Sequence, residues 1–107
     1  MNKVTLDFEN KTDEKLSENN LYKTTSDIFK AIGHEGRLKI LYELHQSEKT
    51  VSMLEESLPY KQAAISQQLA RLRFSGIVNC RREGKMIYYK IANKKISNVL
   101  NMISNEF

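Results

Sequence analysis

The chain lacks the cysteine pairs and the long apolar segments that disulfides, membrane spans and export signals require. Its 107 residues include a single cysteine, Cys80, so no internal disulfide can form and a reducing compartment is expected. No apolar run approaches the ~20 residues that a bilayer requires. The first residues lack the apolar core of a signal peptide. We therefore expect a single-domain cytoplasmic protein that does not associate with membranes.

Catalytic and metal-binding clusters are also scarce. The two histidines, His34 and His45, fall on one predicted helix, about 16 Å apart along its axis, which is too far to share a metal within one chain. We interpret His34 as a helix N-cap and His45 as a residue that faces the negative end of the helix dipole. Since no nucleophile–base pair or phosphate-binding loop is apparent, we expect no enzyme, no cofactor and no metal site.

Positive charge is concentrated in the second half of the chain. Between Lys61 and Lys95 there are nine basic residues and one acidic residue, so this stretch carries +8 and the rest of the chain −4, within a net charge of +4. Such an asymmetry indicates a surface that binds a polyanion. A solvated basic surface without a partner is the alternative.

Hydrophobic periodicity predicts four helices, a hairpin and a last helix. Residues 1–20 are polar and show no helical stripe, so we predict a mobile N-terminal tail ahead of one domain over residues 21–107. The predicted elements are, in order, helices over 21–32, 35–46, 50–58 and 61–75, strands over 77–82 and 86–91, and a helix over 93–105. Thr50 and Gly76 are the expected N-cap and C-cap residues of the third and fourth helices. Pro59 enforces the break between these two helices.

This order predicts a mainly α fold with a β-hairpin wing, a winged helix-turn-helix. The first and last helices have apolar faces that exceed what a small core can cover. We interpret them as a homodimer interface, and the alternative is that both faces close the monomer core. The predicted interface residues are Leu21, Ile28, Phe29, Ile32, Ile96, Val99, Leu100 and Ile103.

The outward face of the fourth helix suits the major groove of DNA. If Ile65, Leu69 and Leu72 point inward, the opposite face carries glutamine and serine, which hydrogen-bond base edges and phosphates. The hairpin tip carries three cations suited to the minor groove or the backbone, with a strongly salt-dependent contribution. The predicted contacts with double-stranded DNA are Lys61, Gln62, Ala63, Ser66, Gln67, Gln68, Arg71, Arg73, Arg81, Arg82 and Lys85.

Three segments resemble the ArsR/SmtB family of bacterial repressors. They are HEGRLKIL at 34–41, QAAISQQLARLR at 62–73, and the wing at 76–78 and 82–91. The resemblance covers residues 22–105 and is strongest with the BigR/HlyU-like branch. It implies a homodimer formed through the first and last helices, an inverted-repeat operator, and repression relieved by an inducer. It also implies DNA contacts from Gln62, Ser66, Gln67 and Gln68, with the wing arginines on the backbone.

Departures from the family pattern concern the operator and the signal. The chain has Lys61 and Ala63 where serine is frequent, and Gln68 where histidine is frequent. It has Tyr42 where the similar branch has one of two sensing cysteines, and no cysteine cluster on the third helix. A dithiol or standard metal switch is therefore not expected, and no inducer is identified.

Cys80 is the one candidate redox thiol, because the adjacent Arg81 and Arg82 favour its reactive thiolate form. The alternative is a buried thiol that packs as a small apolar side chain. Two other functions also remain open for the whole chain: an RNA-binding winged helix, and a protein-interaction module without operator specificity.

Overall fold

A computed structural model describes residues 11–107 of the chain, with side chains from Asn20 onward. The elements are α1 (Lys11–Ile32), α2 (Glu35–Gln46), α3 (Val51–Ser57), α4 (Gln62–Phe74), β1 (Val78–Glu83), β2 (Met86–Ile91) and α5 (Lys94–Glu106). The predicted order of four helices, a hairpin and a closing helix is confirmed. Within residues 11–107, no helix is both long enough and apolar enough to cross a membrane.

Helix α1 begins at Lys11 rather than at the predicted Leu21. Residues 11–20 have the sequence KTDEKLSENN, whose lysines and glutamates favour a helix without forming an apolar stripe. The hydrophobic period detects only helices with a buried face, so it missed this polar part of α1. Residues 1–10 lie outside the described residues, and the mobility of the tail stays a prediction.

Short-range capping sets several helix starts. His34 Nδ1 accepts a hydrogen bond from the amide of Gly36 at 3.1 Å, and Thr50 Oγ1 accepts one from the amide of Met53 at 3.2 Å. Both predicted N-caps are therefore confirmed. Lys61 precedes α4 without a side-chain cap bond. The first turn of α4 therefore lacks the stabilisation that a capping serine would provide.

Two glycines and one bridge position the hairpin beside α4. Gly76 (φ +75°) ends α4 and Gly84 (φ +64°) forms the hairpin turn, and both adopt the left-handed conformation that favours glycine. Lys49, in the loop between α2 and α3, pairs with Tyr89 of β2 through two backbone hydrogen bonds of 3.0 and 2.8 Å. The base of the wing is thereby attached to the start of the helix-turn-helix.

The core lies between α2, α4, α5 and the base of the hairpin. Ile65, Leu69 and Leu72 of α4 are fully buried, as predicted, and they share one apolar cluster with Ile40 and Leu41 of α2. Burying each such side chain contributes about 1.5–3 kcal/mol. Together these contacts fix which face of α4 remains on the surface.

Three of the predicted dimer-interface residues, Ile32, Ile96 and Leu100, are buried in this core instead. Ile96 and Leu100 form the inner side of the α5 stripe, which packs on α2 and β2. Ile32 joins the same cluster from the end of α1, so none of the three presents an exposed surface to a second chain. Periodicity identifies an apolar face, but it does not say which neighbour covers it. The remaining predicted interface residues are half-buried or exposed: Leu21, Ile28, Phe29, Val99 and Ile103.

Candidate nucleic-acid interface

The surface of α4 opposite its buried stripe is continuous along the whole helix. Ala63, Gln67, Ala70 and Phe74 follow one another at intervals of four, three and four residues, which places them on one line of an α-helix. All four are exposed. The helix contains no acidic residue. This outward stripe is therefore free to approach a polyanion closely.

The predicted contacts on α4 lie on or beside this stripe, with one exception. Gln62 and Ser66 line a cleft together with Lys85 and Met86 of the wing, so the structure brings one flank of α4 against the hairpin tip. The exposed predicted contacts in this part of the chain are Lys61, Gln62, Ala63, Ser66, Gln67, Arg71 and Arg73.

Gln68 is the exception, because it is half-buried and held by another helix. Its Oε1 accepts a hydrogen bond of 2.9 Å from Nη1 of Arg37 in α2. Gln68 follows the buried Ile65 by three residues and precedes the buried Leu72 by four, so it lies beside these two residues on the helix rather than on the outward stripe. The structure therefore gives Gln68 a partner within the chain that the sequence pattern did not reveal.

The cations at the hairpin tip differ in their surroundings. Arg81 Nε donates to Glu48 Oε1 at 2.8 Å and its Nη1 donates to Glu83 Oε1 at 2.7 Å. Its guanidinium also lies 4.7 Å from the centre of the Tyr88 ring. The hydrogen bonds to Glu48 and then to Glu83 raise the pKa of Arg81. Two carboxylates thus neutralise this charge and tie the wing to the loop between α2 and α3.

Arg82 and Lys85 have no such partners. Both are exposed, and within the described part of the chain neither forms an ion pair. Only these two of the three predicted tip cations therefore have their charge available to an outside anion.

Phe74 belongs to the candidate interface, although the sequence reasoning missed it. It is 95% exposed at the end of the outward stripe. It also lines an open groove with Arg71 of α4 and with Lys30 and Arg37. The missed signal was its spacing of seven residues from Gln67, which repeats the seven residues between Ala63 and Ala70.

The candidate sensing residues are occupied in local packing. Cys80 is half-buried in β1 and lies opposite Tyr89. Tyr42 Oη donates to the carbonyl oxygen of Leu100 at 2.9 Å, which connects α2 to α5 at the position where the resemblance suggested a cysteine. His45 Nε2 lies 2.8 Å from Asn101 Oδ1, so its partner is on α5 rather than at the end of its own helix.

A metal site is not evident either. Among the described residues, no group of three or more His, Cys, Asp or Glu side chains is placed to hold a metal ion.

A short helix, a turn, an exposed polar helix and a two-stranded wing define this fold as a winged helix-turn-helix. A family model described as "Bacterial regulatory protein, arsR family" matches residues 34–79. The chain is 34% identical over 76 residues to the transcriptional activator HlyU of Vibrio cholerae, covering 71% of this chain and 70% of that protein. The chain belongs to the arsR family of bacterial regulatory proteins, and the resemblance seen in the sequence is confirmed.

One further relative and two solved structures are also similar to this chain. The biofilm growth-associated repressor of Agrobacterium fabrum is 38% identical over 76 residues, which cover 71% of this chain and 65% of that protein, just under two thirds of its length. Among solved structures, the transcriptional repressor BigR of Xylella fastidiosa superimposes with a TM-score of 0.77 at 31% identity, over 87% of this chain and 94% of that chain. A homodimeric winged helix-turn-helix DNA-binding domain from Mycobacterium bovis gives 0.75 at 28% identity, over 81% of each chain.

Proposed function

We propose that this protein is a transcription regulator that binds an inverted-repeat operator as a homodimer and represses the adjacent promoter. The observation that carries the proposal is the outward stripe of α4, which is exposed, free of acidic residues and flanked by the wing. Membership of the arsR family supports the same function.

The proposed docking places α4 in the major groove. N-terminal residues of a recognition helix contact base edges, so Gln62, Ser66 and Gln67 are the proposed readers. Ala63 lets the helix approach closely or contacts a thymine methyl group. At the other end of the stripe, Phe74 supplies an apolar contact to sugar or methyl groups.

The wing supplies the charge that positions α4. Arg82 and Lys85 contact phosphates or enter the adjacent minor groove, because both are exposed and unpaired. Arg81 holds the wing in place through Glu48 instead of contacting DNA itself. Arg82 is thus proposed to bind DNA and Arg81 to anchor the wing, and alanine variants of the two residues distinguish these roles.

The proposed dimer uses the exposed part of α1 and α5. Leu21 and Phe29 of α1 and Met102 of α5 are large exposed apolar residues of the kind that a second copy of the chain would cover. The Mycobacterium bovis neighbour is described as homodimeric, which supports a homodimer. A two-fold dimer places its recognition helices about one helical turn apart on DNA, near 34 Å, and this geometry requires an inverted repeat. We place this activity in the cytoplasm, where promoter DNA is accessible.

The experiment that tests the proposal is selection of bound sites from random DNA duplexes, followed by titration of the best site. We expect enrichment of an inverted repeat, binding by a dimer, and weak competition by duplex RNA of the same sequence. A Gln67→Ala variant should change the preferred base at one position in each half-site. Equal competition by RNA, or enrichment of no sequence, would reject an operator-specific regulator.

The direction of regulation needs a separate measurement, because the relatives include a repressor and an activator. The selected site should be placed across a promoter that drives a reporter gene. We expect lower reporter expression when the protein is present, and an increase would reject the repressor assignment while leaving DNA binding intact.

A further inference from the structure

Arg37 joins three helices through one side chain. It lies in the first turn of α2, and its Nε donates to the carbonyl oxygen of Ala31 at the end of α1. Its Nη2 donates to the carbonyl oxygen of Lys30 at 3.3 Å, and its Nη1 donates to Oε1 of Gln68 in α4 at 2.9 Å. The guanidinium therefore bridges the end of α1 to the middle of the recognition helix.

Each contact in this bridge has a physical reason. The last carbonyls of a helix have no partner within the helix, and a cation there is stabilised by the helix dipole. Arginine supplies several donors in a rigid planar fork, whereas lysine has a compact ammonium group that cannot reproduce this geometry. Because arginine has no acceptor, the oxygen of the Gln68 amide must be the atom that faces it. The orientation of Gln68 is thus determined by Arg37.

The bridge differs in kind from the other contacts of α4. Ile65, Leu69 and Leu72 hold the helix by apolar packing, which is not directional. The hydrogen bonds of Arg37 are directional, and they connect α4 to α1, the helix that forms part of the proposed dimer interface. A rotation of α4 relative to α1 would lengthen them.

We propose that Arg37 and Gln68 are positioning residues that set the angle between α4 and α1, and through it the half-site spacing that the dimer accepts. This inference rests on the proposed function as a homodimeric DNA-binding regulator. In a two-fold dimer, the placement of α4 relative to the interface helix fixes the separation of the two recognition helices. Gln68 then acts through the bridge and does not read a base.

The test compares binding to the selected operator with binding to versions whose central spacer is one base pair longer or shorter. Gln68→Leu removes the acceptor, and Arg37→Lys removes the fork. Loss of a hydrogen bond to a charged group corresponds to about a tenfold change in an equilibrium constant. We therefore expect the preference for the native spacing to fall about tenfold in both variants.

Two further variants separate positioning from other roles. Gln68→Glu keeps an acceptor for Arg37, so it should preserve the spacing preference of the wild type even if its added charge weakens overall affinity. Gln67→Leu is the matched control, because Gln67 is a neighbouring exposed glutamine on the outward stripe. It should change base preference and leave the spacing preference intact.

The outcomes are distinguishable. An unchanged spacing preference in Gln68→Leu overturns the inference and leaves the proposed function standing. A changed preference at one base pair in Gln68→Leu, without a change in spacing preference, also overturns it, because Gln68 would then be a base reader. If the wild type selects no duplex, the proposed function fails, and the inference fails with it. Thermal melts identify any variant that does not fold, and if Arg37→Lys is such a variant the two Gln68 variants decide.

Discussion

Replacing Arg82 by alanine tests whether the wing binds phosphates. Arg82 is exposed and unpaired, whereas the adjacent Arg81 is bound by Glu48 and Glu83. The two residues have the same chemistry and are neighbours on one strand, so each serves as the control for the other. We expect Arg82→Ala to reduce the salt dependence of DNA binding and Arg81→Ala to leave it nearly unchanged.

The expected change in the salt dependence of DNA binding follows from counterion release. Each phosphate contact contributes about 0.9 to the slope of log affinity against log salt concentration. A dimer has two wings, so Arg82→Ala should reduce the slope by about 1.8. When the salt concentration rises from 50 to 200 mM, the wild type should therefore lose roughly twelve times more affinity for DNA than Arg82→Ala loses. The variant should therefore be impaired most strongly at low salt.

The assay is fluorescence anisotropy of a labelled operator duplex at four or more salt concentrations. Arg81→Ala should lower affinity by a similar factor at every concentration, since it loosens the wing without removing a phosphate contact. If both variants reduce the slope equally, Arg81 contacts DNA directly and the division of roles is wrong. If neither does, neither arginine contacts a phosphate, and the proposed role of Arg82 is wrong.

Three further predictions concern the proposed interface, the core and the thiol. Phe29→Glu should give a folded monomer in sedimentation, because Phe29 is 53% exposed on α1; a stable dimer would contradict the interface. Leu100→Ala should lower the free energy of unfolding in urea by about 2–5 kcal/mol, since its side chain is fully buried, and a smaller loss would argue against that packing. Cys80→Ser should bind DNA like the parent before and after peroxide treatment; loss of a peroxide response would identify Cys80 as a redox switch.

The features predicted correctly from the sequence depend on residues close together along the chain. Thr50 caps α3 through Met53, three residues later, and the stripe of Ile65, Leu69 and Leu72 repeats within one helix. Gly76 and Gly84 mark chain reversals because of their own backbone freedom. The order of elements, and with it the winged helix-turn-helix, could be predicted for this reason.

The predictions that the structure corrected involve how separate elements meet. The sequence periodicity places Leu100 on the apolar stripe of α5. It does not show whether α2 or a second chain covers this residue, because that depends on how the helices pack. The polar start of α1 at Lys11 is a different case, because a helix without a buried face leaves no period in the sequence.

The sequence by itself determined the family, the elements and the polar, acid-free character of α4, because composition, periodicity and capping are local properties. Only the tertiary structure decided which polar residues of the candidate site are already engaged. Gln68 is held by Arg37 across 31 residues, and Arg81 is held by Glu48 across 33. Hydrogen bonds between residues so far apart form only once the helices have packed. The tertiary fold therefore determines which polar side chains of the candidate interface remain unpaired.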